Sequence, residues 1–505
     1  MGGGYLYKQL NKDVKEINKV FLSLFSVGII LIAIFVGVSI TKNSYALFSD
    51  NIVSNNTIEV EVAGKNSDIS GANEPKLDNN MIPVYYDEIE EVWKKASKYN
   101  TEGKYKWYDY DDKMWANSVT VTETNRETYL NAALGTEIKM EDILTMQVWV
   151  PRYKYKVWNY NADGTVTSQP QEIEIVFEEG TASTGEIACT DNIQGDSGDG
   201  TSEICKLKST NSNCTNSTCN NKYYTHPGFT FGSEEIEGFW IGKFELTGTI
   251  DSITTKPNIS SLRNQNISSF ETKIMTMNDS GNQYGLSTST DTHMIKNMEW
   301  GAVAYLSHSK YGTCTDGTCQ EIGINNNSSY TTGCGAEAGS SSSSTCNSYN
   351  TESGMLASTT GNIYGVYDMS GGAYEYVMGN IVSSDGTQMI SGNSSINNSG
   401  YTGIVYDSGK YTSYIGISYP NKKYYDTYSF GIDSSQRQRS KLGDGIKEVY
   451  SKGNNGWNSD YGYVAYSSWP WFPRGGRYSS GELSGIFTSS YGSGSVTRII
   501  YYLTK

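Results

Sequence analysis

Residues 361–380 read GNIYGVYDMSGGAYEYVMGN and combine a glycine-rich turn with closely spaced aromatic rings. The two adjacent glycines permit positive φ angles and a close approach of neighbouring backbone. Beyond them the side chains alternate, which predicts a strand with two unlike faces. Glu375 lies between Tyr374 and Tyr376 in this strand. Its carboxylate is either a buried structural group, the interpretation we favour from the residues alone, or a ligand for a cation.

Four segments of the chain resemble motifs of the formylglycine-generating enzyme (sulfatase-modifying factor) family, and they follow one another along the chain in the family's order. Residues 361–380 are similar to its N-x-x-G-L-Y-D-M-x-G-N-V-W-E-W signature. The others are GFWIGKFELTG at 238–248, HMIKNMEWGAVAYLS at 293–307 and WFPRGGRYSSG at 471–481, with Thr497, Arg498 and Ile499 in the place of a closing G-F-R. The resemblance implies an irregular, loop-rich α+β fold of the C-type-lectin-like class.

Composition agrees with a sheet-rich extracellular domain. The 505 residues include 40 tyrosines and 53 glycines, and the net charge is −15. Plentiful Tyr, Gly, Ser and Asn are typical of a loop-rich β protein rather than a helical one. A nucleic-acid partner is disfavoured, because phosphate binding needs clustered Lys and Arg.

The first 81 residues predict export. A lysine-containing cytoplasmic tail at 1–19 precedes an uncharged apolar segment at 20–40, which as a helix would span roughly 30 Å, the thickness of a bilayer core. The charge bias places the remainder outside, so we predict a single-pass anchor in the cell membrane. The alternative is a signal peptide cleaved after Ala46, which would make the protein secreted. A polar linker follows at 41–81.

Two folded parts are predicted beyond the linker. Residues 82–135 form a small β-rich module, in which DEIEEVWKKASKY at 87–99 is a candidate helix. Residues 146–505 form the lectin-like domain. It begins with a strand in which Tyr153 and Tyr155 alternate with charged side chains, and its two helices are predicted at 266–277 and 294–308.

All eight cysteines lie in two polar insertions of the lectin-like domain, at 181–222 and 311–355. The first holds Cys189, Cys205, Cys214 and Cys219, and the second holds Cys314, Cys319, Cys334 and Cys346. Even numbers outside the membrane predict disulfides that staple loops without a core of their own. Each insertion allows three pairings, of which we favour those that join the close pairs CTNSTC and CTDGTC. A zinc site is the competing interpretation, but the ligand spacing does not suit it.

Catalysis is not predicted. In the family, the residues that oxidise cysteine are a cysteine pair between the R-G-G block and the closing G-F-R. The corresponding interval, Arg477 to Arg498, contains no cysteine, so the enzymatic alternative lacks its thiolates. The three histidines, His226, His293 and His308, are scattered and match no catalytic motif.

The same resemblance implies one cofactor, a structural calcium ion. Glu375 stands where the family has a calcium-binding Glu, but Gly372 replaces the accompanying Asn. Losing one oxygen ligand weakens a site for a hard cation. Calcium on Glu375 is therefore retained as an alternative to a protein without any cofactor.

The segment RYSSGELSGIFTSSY at 477–491 is the predicted ligand-binding surface. Its mixture of Tyr, Ser and Gly is typical of adaptable recognition loops. The candidate contacts are Arg477, Tyr478, Ser479, Ser480, Glu482, Ser484, Phe487, Ser489 and Tyr491. We therefore predict a bacterial surface protein, tethered to the membrane, that binds an external protein or glycan. The alternatives are a structural matrix or pilus-associated component whose Tyr-rich sheets self-assemble, and a formylglycine-generating-type enzyme.

Overall fold

A computed structural model describes most of the chain beyond the linker. The described residues are 68–99, 103–157, 170–187, 222–392, 399–407, 410–436, 439–449, 455–491 and 496–503. The chain divides into two units, Met1–Ser67 with Tyr99–Lys104, and Asp68–Lys98 with Tyr105–Lys505. The predicted tail and apolar segment, and most of the linker, lie outside the described residues. Among those described, no helix combines the length and the apolar character that crossing a bilayer requires.

The second unit is mixed α+β and rich in sheet, as predicted. Its strands are β1 (Ile82–Asp87), β2 (Val92–Lys95), β3 (Asn117–Val121), β4 (Ile143–Pro151), β5 (Tyr153–Lys156), β6 (Glu174–Phe177), β7 (Glu186–Ile187), β8 (Tyr224–Thr225), β9 (Thr230–Phe231), β10 (Glu234–Glu235), β11 (Gly238–Gly242), β12 (Thr247–Thr249), β13 (Ser252–Thr254), β14 (Thr290–Met294), β15 (Cys314–Thr315), β16 (Thr318–Cys319), β17 (Glu375–Ile381), β18 (Gly403–Asp407), β19 (Lys410–Tyr414), β20 (Asp426–Tyr428), β21 (Trp471–Arg474) and β22 (Ile499–Leu503). Its helices are α1 (Glu123–Leu130), α2 (Ile267–Met275), α3 (Asn297–Ser307) and α4 (Glu352–Met355).

The largest sheet contains seven antiparallel strands in the order β14-β22-β11-β4-β3-β1-β2. Because β1 to β3 share this sheet with β4 and β11, residues 82–135 are part of one domain rather than the separate module predicted. The predicted helix at 87–99 is instead a turn followed by β2. There Trp93 pairs with Tyr86 of β1, and their ring centroids lie 5.4 Å apart. A cross-strand aromatic pair outweighs the helix propensity of the flanking Glu and Lys residues.

Two smaller sheets accompany the seven-stranded sheet. One has the order β6-β5-β8-β7, and in β5 buried tyrosines alternate with half-buried lysines as predicted. The other has the order β20-β17-β21. Every residue of β17 is buried, so the prediction of two unlike faces is wrong for this strand. Protein packs against both sides of β17, and Nδ2 of Asn380 donates to the buried carbonyl of Ile390 at 3.0 Å.

The two predicted helices are confirmed as α2 and α3, with small differences at their ends. All eleven residues of α3 are buried, which is typical of a helix that packs on every side. It begins after Lys296, whose backbone N–H donates to Oε2 of Glu299 at 2.8 Å. Residues 294–296, predicted as helical, instead complete β14 and the turn that leads into α3.

Residues 68–81 are not an exposed linker. The indole Nε1 of Trp149 donates to the carbonyl of Asn73 at 3.1 Å, and Nε1 of Trp240 donates to the carbonyl of Lys76 at 2.5 Å. Asp78 accepts hydrogen bonds from Thr290 of β14. Backbone and side-chain partners thus hold this segment against the central sheet.

Candidate functional site

The four segments that carry the family resemblance meet in a buried polar frame. Arg498, just before β22, forms a two-point ion pair with Glu375 of β17, at 2.8 Å from Nε to Oε2 and 2.9 Å from Nη2 to Oε1. Arg498 also donates to the carbonyls of Tyr367 and Gly242. Both charged side chains are fully buried. The 361–380 stretch and the C-terminal strand are therefore joined by charge as well as by packing.

Arg474, the arginine of the R-G-G block, joins the remaining segment to this frame. Its Nη1 donates to Oδ1 of Asn297 at 2.7 Å and to the carbonyl of Asp444 at 2.8 Å, and its Nε donates to the carbonyl of Thr488 at 2.9 Å. The guanidinium lies over the ring of Trp300, 5.6 Å from the centroid. Burial lowers the pKa of Arg474 to about 10, against the attraction of Asp444.

Glu375 does not fit a calcium ligand. Both of its carboxylate oxygens are engaged by the guanidinium of Arg498, and a cation would have to displace that group against its positive charge. Burial raises the pKa of Glu375 to about 7, opposed by Arg498. The nearby Glu245 accepts from the backbone N–H of Ala373 and from Ser261, and a Cβ on Gly372 would lie 2.5 Å from Oε1 of Glu245. These contacts favour the structural interpretation of Glu375.

Two groups of side chains in the described part of the chain have ligand atoms close enough together to hold a metal ion. His308, Cys314 and Cys319 lie within 4.8 Å of one another, as do Asp68, Asp109 and Asp111. Because Cys314 and Cys319 are bonded to each other, their sulfurs are not thiolate ligands in this state. In the aspartate group, Asp68 and Asp109 are buried and Asp111 is exposed, and Asp109 is already paired with Lys106 at 2.7 Å.

The second insertion contains two disulfides. Cys314–Cys319 joins directly opposed residues of β15 and β16, which is the pairing favoured from the spacing, and Cys334–Cys346 is the other. Cys189, Cys205, Cys214 and Cys219 lie outside the described residues. The insertion also contributes the buried Ile324 and Tyr349 to the core, so it is more than a stapled surface loop.

The predicted binding segment divides into an exposed and a buried half. Arg477, Ser479, Glu482 and Tyr491 are exposed, and Tyr478 and Ser480 are partly exposed. Ser484, Phe487 and Ser489 are buried, so the prediction that they contact a ligand is wrong for this conformation.

The three buried residues anchor the segment. Phe487 packs against Trp457 and His308, with ring centroids at 5.7 and 5.5 Å. The hydroxyl of Ser484 donates to the carbonyl of Arg477 at 2.9 Å and closes the loop. The backbone N–H of Ser489 donates to the carbonyl of Tyr461. The tip of the loop is therefore presented by a fixed base.

A first pair of tyrosines lies near Arg477. The rings of Tyr330 and Tyr478 meet edge to face with centroids 4.8 Å apart, and the guanidinium of Arg263 stacks on Tyr330 at 3.8 Å. Burial raises the pKa of Tyr330, with Tyr478 adding to the effect and Arg263 and Arg477 opposing it. The backbone N–H of Tyr478 donates to the carbonyl of Gly372 at 2.9 Å, which ties this pair to the 361–380 stretch.

A second group of tyrosines also lies near Arg477. Tyr463 contacts Tyr461 and Tyr491 at 5.6 and 5.0 Å between centroids, and Tyr466 contacts Tyr491 at 5.3 Å. Burial raises the pKa of Tyr461, with Tyr374 the next contributor and Arg477 opposing. Arg477 thus lies near both groups. We call the seven partly or fully exposed tyrosines around it the tyrosine face: Tyr330, Tyr374, Tyr461, Tyr463, Tyr466, Tyr478 and Tyr491.

Sequence reasoning found two of these seven tyrosines. Tyr478 and Tyr491 belong to the predicted segment, whereas Tyr330, Tyr374, Tyr461, Tyr463 and Tyr466 come from other loops. The alternation Tyr461, Tyr463 was a usable signal, because it places both rings on one side of an extended backbone. Tyr330 carried no such signal, since it reaches the face only through the tertiary fold.

The three histidines are buried. Burial lowers the pKa of His226 to about 3 and that of His308 to about 4. His293 lies between two carboxylates, 3.2 Å from Oδ1 of Asp291 and 3.2 Å from Oε1 of Glu299. These positions suit structural roles, as predicted for isolated histidines.

Comparison with known proteins gives no assignment: no family model matches the chain, and neither does any curated protein.

Proposed function

We propose that this chain is an exported bacterial surface protein, anchored in the cell membrane by its N-terminal segment, that binds an external ligand through the tyrosine face. The observation that carries the proposal is the convergence of seven partly exposed tyrosines around Arg477, from loops that are far apart in sequence. Tyrosine contributes a large contact area at a low entropic cost, and it supplies a hydroxyl for hydrogen bonds. Tyr and Arg are also the residues that dominate binding energy in protein interfaces.

The support beneath the face favours binding. Arg474 and the Ser484 hydroxyl hold the base of the loop by buried hydrogen bonds, so the tyrosines are presented with little freedom to lose on binding. Exposed Tyr and Arg side chains are typical of protein interfaces, so a protein surface is the preferred ligand and a glycan is the second candidate.

We propose further that the domain has a non-catalytic lectin-like fold related to the formylglycine-generating enzymes. The four similar segments contact one another through Arg498–Glu375, Arg474–Asn297, the backbone bond from Met378 to Ile295 and the hydrogen bond from Ala373 to Glu245. The interval from Arg477 to Arg498 lacks the cysteine pair on which the family's oxidation depends. A scaffold without those thiols is suited to binding.

The test compares the full chain with two variants on an array of purified extracellular proteins and an array of glycans. Y463A/Y478A removes one ring from each of the two tyrosine groups near Arg477. Y411A removes an exposed ring of β19 as a matched control. We expect ligands of the wild type to be retained by Y411A and to bind Y463A/Y478A at least tenfold more weakly. Ligands bound equally by all three proteins would place the binding site elsewhere.

A structural role is the second candidate, and a separate surface favours it. The hairpin of β18 and β19 is followed by Ile415 and Ile417, whose side chains are 88% and 48% exposed. Exposed apolar residues beside a two-stranded hairpin favour pairing with another chain. Sedimentation velocity of the full chain over a hundredfold concentration range tests this role: it requires concentration-dependent polymers that are lost in I415D.

A further inference from the structure

A cavity of about 260 Å³ opens at the N-terminal end of α3, between the turn that follows His226 and the loop at 421–426. Its lining includes Thr230, Lys296, Lys422, Lys423, Tyr425 and Asp426. None of these residues belongs to the tyrosine face. The cavity is slightly smaller than the roughly 300–1,000 Å³ of sites for drug-sized ligands, so its volume suits a molecule of monosaccharide size.

The charge of the lining is unusual for this protein. Three lysines and one aspartate line the cavity, although the whole chain carries a net charge of −15. Asp426 is already engaged, because its Oδ2 accepts the backbone N–H of Met298 at 2.8 Å. Lys296 and Lys441 also attract its carboxylate. With three lysines and one engaged carboxylate, the lining presents a net positive charge to a ligand.

Lys296 is the most informative of the three. Only 4% of the residue is exposed, yet its Nζ lies 3.4 Å from its ion-pair partner, Oε1 of Glu299. The ammonium also faces the ring of Phe231, 5.1 Å from the centroid. A nearly buried ammonium gains free energy from a closer anion, because its long ion pair compensates poorly for lost hydration.

Lys422 and Lys423 form the rim. Lys423 donates to Oδ2 of Asp291 at 2.9 Å, which fixes its position, and its ammonium lies over Phe231 at 4.5 Å. Lys422 is exposed and has no carboxylate within 4.0 Å among the described residues. One rim ammonium is thus held in place, and the other is available to a ligand.

A histidine behind the cavity keeps the surroundings positive. Asp291 and Glu299, the carboxylates that pair with Lys423 and Lys296, also share His293 between them. Although burial opposes it, the charge of Glu299 and the hydrogen bond with Asp291 raise the pKa of His293 to about 9. At neutral pH these two carboxylates are therefore shared among three cations, an imidazolium and two lysine ammonium groups, and the charge of this group of side chains remains positive.

We propose that this cavity binds a small organic anion of monosaccharide size, with Lys296, Lys422 and Lys423 surrounding its carboxylate or phosphate group. Thr230 and Asn421 also line the cavity. The Thr230 hydroxyl donates to Glu235 and Oδ1 of Asn421 accepts from the backbone N–H of Lys423, so the Thr230 oxygen as an acceptor and the Asn421 amide as a donor remain for the uncharged part of the ligand. This site is independent of the tyrosine face, and either can fail without the other.

Titration calorimetry of the full chain with glucuronate, glucose 6-phosphate and glucose tests the proposal. We expect the two anions to bind and neutral glucose to bind at least tenfold more weakly. K422M/K423M should weaken anion binding at least tenfold, whereas K139M/K410M, which removes the same charge from two exposed lysines outside the cavity, should change it less than twofold. Raising NaCl from about 50 to about 300 mM should weaken binding, because the rim is exposed to screening.

Three results would overturn the proposal: no heat from either anion at low salt, equal binding of glucose, or equal losses in the two double variants. Replacing Lys423 also removes its ion pair with Asp291 and its contact with Phe231, so circular dichroism verifies that K422M/K423M is folded. The single variant K422M, at an exposed lysine, leaves those contacts intact and should also weaken anion binding. Because the variants of the tyrosine face leave the cavity intact, Y463A/Y478A should retain anion binding in the same titration.

Discussion

Arg474 and Arg477 are three residues apart in the R-G-G segment, and they belong to two different parts of the molecule. Arg474 is fully buried and donates to Asn297, Asp444 and Thr488, which come from three separate elements. Arg477 is exposed and lies near two groups of tyrosines. Gly475 and Gly476, with φ angles of 78° and 80°, make the sharp change of direction possible.

The two arginines distinguish the buried polar frame, which stabilises the domain, from the tyrosine face, which is exposed on its surface. In the buried frame, each charged group has partners that water cannot replace, so a single substitution leaves a charge uncompensated. On the tyrosine face, side chains are partly hydrated and their contacts are worth little to folding. The tyrosine face therefore tolerates substitutions, because the stability of the buried frame does not depend on the exposed side chains.

The largest expected difference is in the free energy of unfolding. R498M leaves Glu375 buried without its cation, near the acidic Asp368 and Glu245, and should destabilise the protein by about 3–5 kcal/mol. Urea unfolding of the full chain, followed by tryptophan fluorescence, measures this change. R477M is the matched control, with an expected change below about 0.5 kcal/mol. Equal effects of the two substitutions would contradict the division into frame and face.

The second prediction concerns pH. Burial raises the pKa of Glu271 to about 8, so the folded state retains a proton that the unfolded chain releases near the ordinary value of 4.5. The folded state then binds more protons between about pH 4.5 and 8, and this carboxyl lowers stability as pH rises through that window. Between pH 5 and 7 the loss should be about 2 kcal/mol.

E271Q should remove this component, because the amide oxygen can still accept from the backbone N–H of Met294. Urea unfolding at pH 5 and pH 7 should show the variant gaining on the wild type at the higher pH. E123Q, at an exposed carboxylate of α1, is the matched surface control and should not reproduce this change. A difference between E271Q and wild type that is the same at both pH values would refute the assignment.

The smallest expected effect lies within the face. A double-mutant cycle with Y330A and Y478A should give a coupling of about 0.5–1 kcal/mol, as for other edge-to-face aromatic pairs. Unfolding free energies of the wild type, both single variants and the double variant supply the cycle. Strict additivity would mean that the two rings do not hold each other in place. A coupling above about 2 kcal/mol would mean that this pair belongs to the frame.

Local sequence patterns predicted the strands and helices whose buried side chains recur with a regular period along the chain. The alternation around Tyr153 gave β5, and the apolar stripe at 294–308 gave α3. The close spacing of Cys314 and Cys319 suggested their pairing, because a short hairpin brings the two sulfurs together. In contrast, local sequence predicts a helix at β2, because the surrounding Glu and Lys residues favour helix. The pairing of β2 with β1 depends on a contact that a local pattern does not contain.

The candidate site was predicted only in part, for a related reason. In an irregular loop, side-chain direction follows neither a period of 2 nor one of 3.6, so Phe487 and Ser489 could not be separated from Tyr478 and Tyr491 by pattern. Glu375 was a correct focus, but its partner Arg498 lies 123 residues away, and the choice between an ion pair and a cation site depended on that contact.

The sequence by itself determined the α+β class, the two principal helices, the missing thiols between Arg477 and Arg498, and the acidic balance, because these depend on composition and on short-range periodicity. The tertiary structure alone decided which tyrosines share a surface, which arginine is buried and which lysines surround a cavity. Those properties depend on contacts between residues that are distant in sequence, and the free energy that selects such contacts comes from burying all of their partners together.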